Sequence, residues 1–331
     1  MYFNCKLEVW IDHKLLETVN EVEVSNDAAQ LGANCDIVVP LTVRIQNEGQ
    51  YLIDSVRTLF KSGNFVQVYA WYVGMEKQLI FEGFVYDFLE GTPLKIRCLD
   101  YVYQLRKGVK NLSFPKARIK TVINKILEDT DITIMEPYVD FEVENLTFPN
   151  MSPAACLEWI KKELALTVTI IGRKLYFNIA SNTLNTVKLQ TDVNVIGANM
   201  QKPDGAFQKF KVKAWIKKPD GTKEAVEIGD ADGELREIKL MCVPKNTPKG
   251  KEKKDYHTIL HDNALEQVKL GHYTGKITTL LYPISDLFWA VDYTDVRYPE
   301  RSGIYTVRAL SITLSKDGFH RELTLAFLKK K

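Results

Sequence analysis

Short runs of alternating apolar and polar residues, separated by turn residues, recur along most of the chain. Residues 6–11, 65–73, 78–89 and 304–314 all follow this period of two. Such a period places successive side chains on opposite faces of a β-strand, so that one face can be buried. The pattern predicts a mainly β fold with antiparallel strands. A helical stripe interrupts it at residues 51–60.

Residues 107–180 have a different texture, because helical and strand patterns alternate there. The first predicted helix, at residues 119–128, has an apolar face formed by Ile119, Val122, Ile123 and Ile126. A second helix is predicted at residues 152–164, with Ser152 as its N-cap and Pro153 at its first position. A hairpin follows at residues 167–179. This segment is predicted to be a small α/β insert.

The length of 331 residues predicts two or three domains rather than one small core. The patterns divide the chain into a first β-barrel domain (1–107), an α/β insert (108–181) and a second β-barrel domain (182–331). Barrels are favoured because closure removes the exposed edges of a sheet. The predicted fold class is therefore mainly β with an α+β insert, as two small antiparallel β-barrel domains plus a small α/β domain. Within the last domain, a Lys-rich solvated loop at 245–254 precedes a helix at about 256–270.

One scheme of strands occurs twice, at low sequence identity. Residues 63–98 and residues 290–325 both read as a strand, a loop, a long strand, a Gly-bearing turn and a third strand. We predict that the two meanders form quasi-equivalent barrels. Alternation then predicts which residues fill the barrels, namely Ile80, Phe84 and Tyr86 or Phe88 in the first, and Ile304, Val307 or Leu310 and Leu314 in the second. By the same parity, Val307 and Ile312 are expected on opposite faces unless a bulge intervenes.

Charge and cysteine usage limit the function classes. Lys and Arg total 44 against 42 for Asp and Glu, so the net charge of +2 gives no basic field for nucleic acid. Five cysteines occur singly, with no CxxC pair, and are predicted to be free thiols in a reducing compartment: Cys5, Cys35, Cys98, Cys156 and Cys242. Neither a secretory signal nor an apolar run of about 18 residues is visible. We therefore expect synthesis in the cytoplasm and no membrane insertion.

The histidines do not form a convincing metal site. His257 and His261 have the spacing by which two imidazoles on a helix share one metal, with Asp262 adjacent. A zincin helix needs Glu directly after the first His, however, and Thr258 stands there. His272 lies near the predicted helix end, where it can complement the helix dipole. No metal ligand is predicted.

The chain also lacks a recognisable catalytic motif. The carboxylate pairs Glu142 with Glu144 and Asp230 with Asp232 lie in polar contexts typical of solvated faces. There is no nucleophile elbow, no Walker loop and no dinucleotide fingerprint. Sequence analysis thus predicts no catalytic residue, no cofactor-binding residue and no enzyme.

Aromatic residues crowd the first meander, where Tyr69 and Trp71 alternate with Ala70 and Tyr72 so that both strand faces carry bulk. A covered outer face, as in a subunit interface, explains this pattern. The competing interpretation is a stacking platform for single strands or glycans. Lys and Arg are sparse between residues 62 and 90, which favours the interface.

The C-terminal run, residues 289–325, resembles the closing barrel of phage late control protein D and related baseplate hub proteins of contractile injection systems. Residues 81–85, Phe-Glu-Gly-Phe-Val, are similar to a strand of the family's first barrel, and the segment ending in Cys98-Leu-Asp100 is similar to the strand that follows it. Residues 157–168, which cover most of the second predicted helix, and the strand at residues 174–177 resemble the family's middle helix and hairpin. The similarity extends over about residues 60–328, and no functional residue transfers with it.

This resemblance implies a structural protein of a phage tail or phage-like contractile machine. Its implied assembly is a homotrimer in which two barrels per subunit form a pseudo-sixfold ring that adapts the tail tube to the central spike. Its implied partners are tube, spike and other baseplate proteins, and its implied location is the virion tail after assembly in the bacterial cytoplasm. No repetitive β extension follows the last strand, so the spike is expected to be another polypeptide.

Two other function classes stay open at this point. One is a carbohydrate- or nucleic-acid-binding β-barrel module, and the other is a tail-associated cell-wall hydrolase. A hub self-associates or assembles with tail proteins, whereas a lone binding module need not.

Overall fold

The computed structural model describes residues 4–47, 50–138, 140–164, 166–178, 183–202, 210–217, 222–229, 232, 234–240 and 273–329. Several features discussed above lie outside these ranges: the 245–254 segment, the 256–270 helix, Asp230, Cys242, His257, His261, Asp262 and His272. In the described part, the prediction of a mainly β fold with few helices is confirmed.

Strands dominate the first hundred residues. They are β1 (Cys5–Ile11), β2 (Lys14–Leu16), β3 (Glu21–Asp27), β4 (Asn34–Val39), β5 (Thr42–Asn47), β6 (Gln50–Ser55), β7 (Phe65–Tyr72), β8 (Gln78–Leu89) and β9 (Leu94–Leu99), with two one-turn helices, α1 (Val56–Leu59) and α2 (Val102–Leu105). The helix expected at residues 51–60 is wrong over its first half. Those residues pair with β5, and backbone pairing in a hairpin outweighs a weak helical stripe.

Helices and strands alternate in the middle segment, as predicted. Its elements are β10 (Lys110–Arg118), α3 (Ile119–Leu127), β11 (Thr133–Ile134), β12 (Glu142–Met151), α4 (Pro153–Glu163), β13 (Thr167–Ile171) and β14 (Lys174–Asn178). The Ser152 hydroxyl accepts the Ala155 N–H at 3.2 Å and caps α4, as the sequence predicts. Both helices pack apolar faces into a hydrophobic cluster shared with Tyr101, Leu105 and Phe177.

The C-terminal segment returns to strands. They are β15 (Thr186–Gln190), β16 (Val195–Gln201), β17 (Phe210–Lys217), β18 (Lys223–Gly229), β19 (Glu234–Leu240), β20 (Thr274–Thr279), β21 (Ala290–Thr294), β22 (Gly303–Ser315) and β23 (Gly318–Lys329). Strands β17, β18 and β19 form a three-stranded sheet of their own. Alternation at residues 207–217, 224–228 and 234–243 predicts these three strands but not their separation from the main sheet.

One continuous sheet joins the two ends of the chain. Its strand order is β16, β20, β23, β22, β3, β4, β9, β8, β7, β1, β2, β5 and β6. Strand β22 therefore pairs with β3, which lies almost 300 residues earlier in sequence. A single hydrophobic cluster spans this joint and contains Val22, Ile37, Ile277 and Leu314 among its buried residues.

The inward faces of β8 and β22 differ in part from the prediction. In β8, Phe88 is buried as expected, but the other buried apolar side chains are Phe81 and Val85, whereas Ile80 and Phe84 are half-buried and Tyr86 is exposed. In β22, Leu314 is buried as predicted, and Val307 and Leu310, which were predicted as alternatives, are both buried, whereas Ile304 is only half-buried.

β-Bulges account for the shift in parity. The register between β8 and β9 shifts from Val85 to Asp87, and that between β22 and β23 shifts from Val307 to Ala309. One extra residue turns every later side chain to the other face. As a result, Val307 and Ile312 both face the interior, rather than lying on opposite faces.

Candidate assembly surface

The described carboxylate pair has structural partners. Glu142 and Glu144 on β12 lie opposite Arg118 and Lys116 on β10, and Lys116 forms an ion pair with Glu142 at 3.2 Å. Cross-strand ion pairs of this kind are ordinary features of a solvated sheet face. In the ranges that the structure describes, no group of three or more His, Cys, Asp or Glu side chains could hold a metal ion.

A cavity of about 460 Å³ lies where β8, β22 and the loop before β21 meet. Arg321 is buried there and donates to the backbone oxygens of Leu281 at 2.9 Å and Pro283 at 3.2 Å; burial lowers its pKa to about 10. Four buried atoms on its walls have no protein partner: Asn26 Oδ1, Gln78 Nε2, Ser285 Oγ and Arg321 Nε. Such groups are normally satisfied by water. No His or Cys lines the cavity, so it presents no nucleophile with an imidazole base.

The most informative arrangement is a duplication of five strands. We call β3, β4, β7, β8 and β9 the N-terminal unit, and β16, β20, β21, β22 and β23 the C-terminal unit. In both units the strands follow the same chain order and the same antiparallel pairing order. The duplication thus includes two more strands per unit than the meander visible in the sequence.

The match extends to single hydrogen bonds at the start of each meander. The Gly63 N–H donates to the Val85 oxygen at 2.8 Å, and the Phe288 N–H donates to the Val307 oxygen at 3.0 Å. Both donors have a positive φ, of 91° at Gly63 and 60° at Phe288. A residue other than Gly seldom adopts such a φ, so its recurrence at matching positions indicates one shared backbone design.

The turn before each meander and the bulge within it also recur. Asn64 N–H donates to the Lys61 oxygen at 3.2 Å, and Trp289 N–H donates to the Asp286 oxygen at 3.2 Å. From these turns, Val85 in one unit corresponds to Val307 in the other, and each is the last paired residue before the bulge. The two units are therefore equivalent in backbone geometry, although their side chains differ.

The two units join edge to edge within the chain. Beyond the bulge, residues 309–315 of β22 pair antiparallel with residues 21–27 of β3, with Ser311 opposite Ser25. This seam uses an edge of the fourth strand of one unit and an edge of the first strand of the other. A unit can therefore continue a sheet both through its fourth strand and through its first strand.

The corresponding edges of the other two strands, β8 and β16, are almost unpaired among the described residues. Beyond Val85, no described strand pairs with the edge of β8 that faces away from β9. On β16, the edge facing away from β20 is paired, among described residues, only by the bridge between Thr191 and Val195. Exposed apolar side chains lie along both edges, with Leu89 43% exposed and Ile196 55% exposed. These edges are the candidate assembly surface.

The aromatic outer face of β7 is partly covered by a cation from the same chain. Lys77 lies over the Tyr69 ring at 4.3 Å and the Trp71 ring at 5.3 Å, and it forms an ion pair with Glu8 at 2.6 Å. Both rings are half-buried, as expected for the outer side of β7. The sequence pattern indicated these aromatic residues but not the cation that covers them, because Lys77 lies in the loop between β7 and β8.

The chain matches no protein-family model and no curated protein. Its fold is similar to that of the tail protein from Neisseria meningitidis MC58, with a TM-score of 0.66 and 13% identity over 98% of this chain and 97% of that one. It is also similar to the 43 kDa tail protein of prophage MuSo2 from Shewanella oneidensis, with a TM-score of 0.64 and 12% identity over 98% of both chains.

A third similar structure is the E. coli c3393 protein, with a TM-score of 0.60 and 10% identity over 97% of this chain and 77% of that one. That protein is described as a component of the type VI secretion system with structural similarity to T4 bacteriophage tail proteins gp27 and gp5. At these identities the similarity concerns the fold. Within the described ranges, none of the helices has the combined length and apolarity needed to cross a bilayer.

Proposed function

We propose that this protein is a structural hub of a phage tail or phage-like contractile machine, acting without catalysis. Three copies form a ring, and the two units of each copy give that ring approximate sixfold symmetry. A ring of this kind can contact a sixfold tail tube on one side and a threefold spike on the other. In this proposal residues 1–107 and 182–331 are the two hub domains, and residues 108–181 are an α/β insert.

The observation that carries the proposal is the duplication of the five-strand unit. Two equivalent units in one chain present similar surfaces at two positions, which is what a threefold assembly needs in order to match a sixfold partner. The similarity of the whole chain to tail proteins supports the same role.

The proposed partners are further copies of this chain, the tail tube and spike proteins, and other baseplate proteins. Nucleic acid and membrane are not among them, because the net charge is only +2 and the described helices are too short or too polar to cross a bilayer. The proposed location is the virion tail, after synthesis in the bacterial cytoplasm.

Sedimentation equilibrium of the purified chain tests the proposal. A hub is expected to have three times the 37.9 kDa mass of one chain at micromolar concentration, or to reach that mass when tail proteins of the same machine are added. A carbohydrate- or nucleic-acid-binding module would instead stay monomeric and change its sedimentation only with its ligand. A monomer under every one of the hub conditions would contradict the proposal.

A further inference from the structure

We infer that the free edge of β8 pairs with the free edge of β16 in a neighbouring copy of this chain, and that this antiparallel pairing closes the ring. The inference rests on the proposed function, since it names the surface by which copies of the hub join. Its basis is the seam between β22 and β3, which is the same contact made inside one chain.

The two strands of the inferred contact correspond to the two strands of the internal seam. Strand β8 corresponds to β22, because both carry the bulge after the matching residues Val85 and Val307. Strand β16 corresponds to β3, because each is the first strand of its unit and pairs antiparallel with the second. Since β22 extends its sheet through β3, β8 has the geometry to extend its own sheet through another copy's β16.

The turn before β7 leaves room for this partner. In the C-terminal unit, the turn at residues 286–289 lies beside β22, and β3 still pairs with β22 beyond the bulge. The turn at residues 61–64 has the same hydrogen bonds beside β8. A strand can therefore approach β8 from residue 87 onward, just as β3 approaches β22 from Ala309 onward.

The internal seam also predicts the register of the new one. Ser311 lies four residues beyond Val307 and pairs with Ser25, and Leu89 lies four residues beyond Val85. Met200 pairs with Gly275 of β20, and Val24 pairs with Cys35 of β4. Because these two pairs have the same place in their units, Gln201, the residue after Met200, corresponds to Ser25, the residue after Val24. Leu89 of one copy is therefore expected opposite Gln201 of the next.

Unpaired edges and their side chains favour a second copy over another occupant. Each chain has one edge of each kind, so the contact is heterologous and generates a ring or a filament. The seam between β22 and β3 inside one chain is the same contact as the inferred seam between copies. When the same rotation relates the units at both kinds of seam, N-terminal and C-terminal units alternate around one axis. Exposed Leu89 and Ile196 lie along the two edges, and an open sheet edge with apolar side chains is a ready site for strand addition.

A disulfide between copies tests the register. The double variant Leu89→Cys with Gln201→Cys is made in a chain whose native Cys5 and Cys242 are replaced by Ser. Opposed residues in antiparallel strands have Cα atoms about 4.5–5.5 Å apart, within the range that a disulfide spans. Oxidation is expected to convert most of the protein to covalent trimers, with dimers as intermediates. Mixing the two single-cysteine variants should give covalent dimers only.

The matched control pairs Leu89→Cys with Ile196→Cys. Ile196 is exposed on the same strand but five residues from Gln201, about 17 Å away, so no cross-link above background is expected. All substituted side chains on the two edges are exposed, and circular dichroism melting checks that the variants stay folded. If trimers sediment normally but Leu89 and Gln201 cross-link no better than the control pair, the pairing is wrong while the proposed hub stands. A monomer both alone and with added tail proteins of the same machine would overturn both.

Discussion

Asp100 joins two segments of the chain that are distant in sequence. Its carboxylate accepts the Ala33 N–H at 2.7 Å and the Val102 N–H at 2.9 Å, which ties the β3 to β4 connection to the start of α2. Gly32 lies against it, and a Cβ at Gly32 would come within 2.5 Å of the carboxylate oxygens. Burial raises the pKa of Asp100 to about 7, although the two backbone donors and Arg106 act in the opposite direction.

This raised pKa makes a testable contribution to the pH dependence of stability. Between about pH 4 and pH 7 the folded chain keeps a proton on Asp100 that the unfolded chain releases, so the free energy of unfolding falls as pH rises through this window. The variant Asp100→Asn should lack this component. At pH 5, where Asp100 of the parent chain is protonated, the variant should be less stable than the parent by about 1–3 kcal/mol, because one backbone donor loses its acceptor; this deficit should shrink at pH 7.5, where the parent has lost stability. Urea unfolding at pH 5 and pH 7.5 measures both effects.

The control for this prediction is Asp317→Asn, which changes an exposed carboxylate in the turn between β22 and β23. It should leave the pH dependence of unfolding as in the parent chain. An equal pH dependence in the parent chain and in Asp100→Asn would show that Asp100 is not the source. The sequence displayed Asp100 only as the end of a strand. Its role depends on contacts with Ala33, 67 residues away, that no local pattern encodes.

Among the elements, β22 tests the effect of the bulge most clearly. Val307 and Ile312 are 0% and 4% exposed, on the same face of a strand whose sequence parity would separate them. We expect Val307→Lys and Ile312→Lys each to lower the free energy of unfolding by about 3–5 kcal/mol, because each buries an unpaired charge. Soluble yield and melting temperature of each variant provide the measurement.

Ser311→Lys is the matched control within the same strand. Ser311 is half-buried on the outer side and lies opposite Glu322 in β23, where a Lys gains a partner. Its melting temperature should stay near that of the parent chain. If only one of the two apolar positions proved sensitive, the strand would follow simple alternation and the bulge would have to be abandoned.

Element boundaries were predictable where burial alternates without interruption. The predicted limits of β8, residues 78–89, coincide with the observed ones, and the N-cap of α4 was identified from Ser152 and Pro153. The filling of β8 was mispredicted at Ile80, Phe84 and Tyr86 because the wrong starting face was chosen, and Phe88 is buried as predicted only because a bulge changes the parity after Val85. Alternation predicts the buried side chains of a strand only when the starting face is chosen correctly. A sequence also does not reveal which residue of a strand a bulge leaves unpaired.

At the scale of the whole molecule, the duplication was only half visible in the sequence. The meanders at 63–98 and 290–325 were found because their strands are consecutive in the chain. The first two strands of each unit escaped notice because insertions interrupt them: β5 and β6 follow β4 in one unit, and residues 202–273 separate β16 from β20 in the other. The seam between β22 and β3 is a long-range pairing that only the folded chain displays.

The central claim is that two equivalent units in each of three copies form one ring. Electron microscopy of the purified assembly, with averaging of end-on views and no imposed symmetry, tests it most directly. We expect a closed ring of threefold symmetry with six lobes of similar size around a central opening. A compact dimer, or a ring in which the lobes do not alternate as two kinds repeated three times, would contradict it.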